Sequence, residues 1–129
     1  MDIAALILWL VTAVGGFVLL GTWVAKGGHR PGSGTRLAPP LVFGHVTVAV
    51  IGLVLWIIFL AAGEAVWAWI AFVLLLVVAL FGFTMFGRWL SSRRSQVAEA
   101  KFPVPIVLGH GLLAAVTLVL VLLASLDAG

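Results

Sequence analysis

Two of the chain's three histidines, His45 and His110, stand inside long apolar stretches, "LVFGHVTVAVIGLVL" (41–55) and "IVLGHGLLAAVTLVL" (106–120). An ionisable side chain at membrane depth is costly and is by default a functional site. A neutral imidazole in such surroundings can act as a ligand, because one ring nitrogen holds the proton while the other offers a lone pair to a metal. Both histidines follow a glycine, and each stands five residues after a proline, Pro40 or Pro105. The third, His29, lies beside Arg30 in a glycine-rich segment and reads as solvated.

The elements that must position this pair follow from composition. The chain has 129 residues, 64% hydrophobic and 9% charged, and a mean hydropathy of +1.34, which places it among integral membrane proteins. A bilayer core needs about 20 consecutive apolar residues per helix, and four such runs occur, at about 3–25, 41–62, 65–87 and 103–126. The runs do not alternate as barrel strands would. The expected fold is therefore an all-α, four-transmembrane-helix bundle forming a single membrane domain over 1–129. Asp2 and the length of the first run argue against a cleaved signal. All seven Lys and Arg residues fall in or near the connections 26–40 and 91–102, whereas Asp2, Glu64 and Asp127 lie at the opposite ends. The positive-inside rule then predicts a multi-pass protein of the cell (inner) membrane with cytoplasmic basic loops and both termini outside. Trp23 and Trp89 are expected in the inner aromatic belt, and Trp67 and Trp69 in the outer one. The sequence pI of about 10.8 is accounted for by this topology signal and does not point to nucleic acid. With no cysteine, disulfides, iron–sulfur clusters and thiolate ligation are excluded.

The paired histidines belong to a longer internal repeat. A shift of 65 superposes Pro40, Val42, Gly44, His45, Ala49, Leu53, Val54 and Leu55 on identical residues from Pro105 to Leu120, and a shift of 66 superposes "GFVLLGTW" (16–23) on "GFTMFGRW" (82–89). Leu and Val matches are cheap in apolar helices; Pro, Gly, His and Trp matches are not. A duplicated helical hairpin explains them, with the copies related by an axis along the membrane normal. Helices two and four then occupy opposite corners, parallel, with the histidines at one depth, roughly 8 Å from the helix start at 1.5 Å per residue. A diagonal of roughly 14 Å follows from axes about 10 Å apart, which leaves room for two imidazoles with a flat group between them. That arrangement suits one haem b per chain with His45 and His110 as axial iron ligands. Gly16, Gly21, Gly82 and Gly87 let a backbone approach a ring or a helix closely, although a spacing of five turns about 140°, so both members of one pair cannot face the same object. Phe17, Phe43, Phe83 and Phe86 are candidates to line the macrocycle, and Arg36 and Arg88 to pair with a propionate.

With these residues in view, the sequence resembles the small membrane b-type cytochromes, in which four helices clamp haem between histidines on alternate helices. The residues that carry the resemblance are Gly44-His45, Gly109-His110 and the repeated glycines. It implies one-electron transfer through a bis-histidine haem, exchanging with a quinone or a redox protein. Many such cytochromes use four histidines for two haems; this chain has a pair for one. Two other readings stay open: a haem sensor or carrier, and a cofactor-free small subunit of a larger membrane complex, for which "GFxxxGxW" would be a docking surface. Lipid surrounds any of these, and association with a second copy is compatible with all. Two histidines are too few for a zinc or copper site, and Ser91, Ser92 and Ser95 have no acid–base partner that would make a hydrolase.

Overall fold

A computed structural model describes residues 1–129. It consists of four long helices, α1 (Asp2–Ala25), α2 (Pro39–Ala62), α3 (Ala65–Ser92) and α4 (Val104–Ala128), with one 3₁₀ turn (Ala98–Lys101) before α4. Each helix is long and apolar enough to cross a membrane. The prolines act as read from sequence: Pro39 and Pro40 open α2 and Pro105 lies in the first turn of α4, where a missing N–H leaves nothing unsatisfied. Gly63, with φ of 75°, ends α2 in the left-handed conformation and allows the tight turn into α3.

The third helix runs further than its apolar stretch, to Ser92 instead of about residue 87. Arg88, Trp89 and Leu90 all tolerate helical backbone, and the hydroxyls of Ser91 and Ser92 bond the Arg88 carbonyl at 2.8 and 2.6 Å near the helix end. This overhang carries Arg88 and Ser91 beyond the apolar span.

In cross-section α1 packs along α4, α4 on α3 and α3 along α2, while α1 meets α2 only lightly; the backbones of α1 and α3, and those of α2 and α4, do not approach each other closely. The helices thus form a square in chain order, and the two histidine-bearing helices are diagonal. The bundle is filled at both ends. Towards the face bearing the termini, Trp9, Trp56, Phe59, Leu75 and Val121 make the main core, with Trp56 fully buried and its indole N–H donating to the Asp2 carbonyl at 3.3 Å. At the opposite, basic face, Trp23, Leu37, Val42 and Ala98 form a smaller cluster. Trp23 and Trp89, 1% and 3% exposed, are therefore inside the protein and not in a lipid-facing belt.

Between the two filled ends lies a layer of different character. In the segments 13–22, 43–51, 79–88 and 108–116 no residue is buried. All four helices show the gap at the same level, bounded in each by buried residues on both sides, such as Thr12 and Trp23 in α1 and Val107 and Thr117 in α4. His45 and His110 are in it.

Candidate functional site

His45 is the seventh residue of α2 and His110 the seventh of α4, so both stand about 9 Å above their helix starts. Diagonal helices of matched register bring the two rings to 6.3 Å between centroids, with their planes inclined at 68°.

Each ring is fastened at one nitrogen. His45 Nδ1 lies 3.0 Å from the Val78 carbonyl on α3, and His110 Nδ1 lies 2.8 Å from the Thr12 carbonyl on α1. A carbonyl only accepts, so Nδ1 carries the proton and donates, and in the neutral ring Nε2 is left with its lone pair. A fixed tautomer of this kind, with the second nitrogen held by a backbone carbonyl, is the usual support for a metal-ligating histidine. Thr12 and Val78 are related by the 66-residue shift, as are Gly16 and Gly82. The anchoring is thus duplicated with the rest of the hairpin, and it crosses over: the histidine of each repeat is held by the first helix of the other.

The glycines explain how a ring reaches a helix backbone. A helical side chain covers the turn before its own position, so the residues four after Thr12 and Val78, Gly16 and Gly82, would otherwise shield those carbonyls. A Cβ at Gly16 would stand 2.9 Å from His110 Cε1, and one at Gly82 would stand 3.3 Å from His45 Cε1. These two glycines therefore make room for the imidazoles. Their partners Gly21 and Gly87 face open space, as does Gly109, while Gly44 abuts Phe81 at 3.6 Å. Phe43 packs edge-on against Trp23 in the basic-face cluster, and Phe86 packs on Trp89. Phe17 and Phe83 are exposed at the level of the histidines, 54% and 70%.

Beyond the histidines the bundle closes through unlike contacts in the two repeats. Gly52 receives the edge of the Trp9 ring, to which a Cβ would come within 3.2 Å, and its counterpart Thr117 faces Thr12 at 3.4 Å between hydroxyls. On the basic side, Arg36 and Arg88 do converge. An Arg88 N–H donates to the Arg36 carbonyl at 3.2 Å, and an Arg36 N–H to Ser91 Oγ at 2.8 Å. Both guanidinium groups are on exposed residues.

A metal–imidazole bond is about 2 Å long, which puts two rings on opposite sides of one ion roughly 6 Å apart between centres. The observed ring spacing agrees with that figure. No cluster of three or more His, Cys, Asp or Glu side chains forms anywhere in the chain, and zinc and copper sites ordinarily take three or four such ligands. No family model, curated protein or solved structure matches the chain.

Three participants carry no signal of their own in the sequence. The carbonyls of Thr12 and Val78 are backbone groups, detectable only through the repeated glycines one turn later. Glu99, the fourth acid, lies in a polar connection and is nevertheless 0% exposed.

Proposed function

We propose that the chain is a membrane b-type cytochrome, carrying single electrons on one haem b held between His45 and His110 in the half of the bundle nearer its basic face. The observation that supports this best is the crossed pair of anchors: two imidazoles at one height on diagonal helices, each fixed through Nδ1 to the opposite repeat, within a layer where no residue is fully buried. Haem supplies a reversible one-electron couple there. The chain's part is to hold the ligands. Val78 and Thr12 keep each imidazole in one tautomer and orientation in both redox states, so little need move when charge changes. Gly16 and Gly82 admit the rings. Arg36 and Arg88, converging at the basic end, would pair with the propionates, and a quinone or a redox protein would exchange electrons near that edge. The filled core towards the termini offers no second ligand pair.

Purified protein supplied with haem should contain one b-type haem per chain and give a sharp low-spin spectrum on reduction. Carbon monoxide should leave that reduced spectrum unaltered, because His45 and His110, each fixed through Nδ1, would both hold the iron and leave it no exchangeable ligand. Adequate haem supply with none bound would sink the reading; ready binding of carbon monoxide would move it from relay to sensor or carrier.

The basic face is assigned to the cytoplasm on the distribution of Lys and Arg. Since the chain has no cysteine, single substitutions report cleanly. Ser95→Cys should resist an impermeant thiol reagent in intact cells and react after permeabilisation, and Glu64→Cys should react in both. The reverse pattern would invert the protein in the membrane.

A further inference from the structure

Glu99 is a fully buried carboxylate that the proposed electron-transfer role does not use. It lies in the 3₁₀ turn five residues before α4 and reaches across to the other long connection. There it accepts the Thr35 hydroxyl at 2.8 Å, the Arg36 N–H at 2.7 Å and the Leu37 N–H at 3.3 Å. A buried charge is tolerated only when such donors replace its water, and charge-assisted bonds to backbone N–H groups are the stronger kind. The segment receiving it is built from turns. Gly27, Gly32 and Gly34 all have positive φ, and Pro31 and Pro39 contribute no donor.

Residues 35–37 are also where the remaining helices are tied in. Trp23, near the end of α1, donates its indole N–H to Thr35 Oγ1 at 3.2 Å, and α3 is joined through Arg88 and Ser91. Leu37 stands two residues before α2 begins. Glu99 therefore fastens the approach to α2 onto the approach to α4, within a few residues of both helix starts.

We propose that Glu99 is a positioning residue for the histidine pair: it fixes α2 and α4 at a common height, so that His45 and His110, each the seventh residue of its helix, face one object from the same depth. The inference rests on the bis-histidine reading for its functional meaning. A slip of α2 past α4 by one residue is a mismatch of about 1.5 Å in ligand height. Within the Gly-rich connection the hydrogen bonds are local turns, such as Ser33 N–H to the Arg30 carbonyl and the Ser33 hydroxyl to the Gly28 carbonyl, and these do not set the height of one helix against another.

The test combines a distance with a spectrum. Spin labels on Thr47→Cys and Leu112→Cys, exposed positions two residues beyond each histidine, should give a narrow distance distribution in the full chain. Adding Glu99→Ala or Glu99→Gln should broaden or shift it. In haem-loaded protein the same variants should lower haem affinity by about 10- to 100-fold and move the low-spin resonance or convert part of it to high spin. Glu99→Asp should restore part of both, and Glu64→Gln, at an exposed acid on the far face, should change neither. Should Glu99→Ala fail to fold, Glu99→Gln, which keeps the shape, decides. An unchanged label distribution together with an unchanged spectrum would overturn the positioning role. If the parent chain binds no haem, the cytochrome reading fails by itself, and the label distances alone decide whether Glu99 sets the height of the helices.

Discussion

Replacing His45 or His110 by Ala is expected to abolish the low-spin haem spectrum, with loss of the cofactor or conversion to a high-spin form with one axial ligand. The two substitutions should be equally severe, because the rings are equivalent: each lies at the same height, is fastened through Nδ1 to a carbonyl of the opposite repeat, and faces the other ring. Removing a direct ligand should weaken binding beyond the roughly 100-fold typical of losing an outer-shell support. The fold itself should survive. The Val78 and Thr12 carbonyls belong to helix interiors, so neither becomes an unsatisfied buried acceptor when the imidazole leaves. His29→Ala is the control. That ring packs 6.3 Å from Trp23 in the basic connection, away from the pair, and the spectrum should be unchanged. A wild-type spectrum in either His45→Ala or His110→Ala would remove the axial assignment.

Gly16→Ala should lower haem affinity by about 10- to 100-fold, the range for disturbing an outer-shell support of a metal ligand, with Gly82→Ala next in severity. The added methyl at residue 16 would stand 2.9 Å from His110 Cε1, while at residue 82 the corresponding distance to His45 is 3.3 Å. The first requires the ring to move, and it is pinned at 2.8 Å to the Thr12 carbonyl. Any tilt that relieves the methyl therefore strains the hydrogen bond that fixes the tautomer. Gly21→Ala and Gly87→Ala make the informative contrast. A Cβ at either position meets nothing, so affinity should stay within about twofold, as for substitutions away from packed sites. Equal losses at all four positions would mean that the glycines serve helix packing in general. Equal tolerance at all four would mean that the rings are not seated as described.

Much of this arrangement could be read in advance because it depends on what repeats. Hydropathy alone defines four spans, and the shift of 65 pairs His45 with His110 without reference to any neighbour, so diagonal placement and common depth followed from topology. The failures have a common physical origin in long-range contact. Trp23 and Trp89 carry the sequence marks of interfacial residues, yet both are buried, Trp23 in the basic-face cluster, which assembles residues from both connections. The repeated glycines were seen, but their spacing of five could not decide which member met the ring; that depended on the carbonyl one turn earlier. Glu99 is the clearest case. Nothing within ten residues of it signals burial, because its donors, Thr35, Arg36 and Leu37, lie more than sixty positions away and two of them are backbone N–H groups. The polar stretch after the third apolar run is expected to extend that helix by a turn or two, and α3 does continue to Ser92, because Gly87 lies within a run of otherwise good helix formers and no proline follows before Pro103.

The crossed anchoring of the histidines carries a consequence for how such a site can be divided. Each hairpin contributes one imidazole and the carbonyl that steadies the other's, so a single hairpin holds an imidazole without its support and a support without its imidazole. Half the chain is insufficient in isolation, but two identical halves meeting about a twofold axis would complete each other. The duplicated chain is thus a self-paired hairpin made permanent by the connection through residues 63 and 64. Linkage gives up exchange of partners and permits inequality. Thr117 can then occupy the place of Gly52, Arg88 that of Thr22, and one acid, absent from the first connection, can brace both halves.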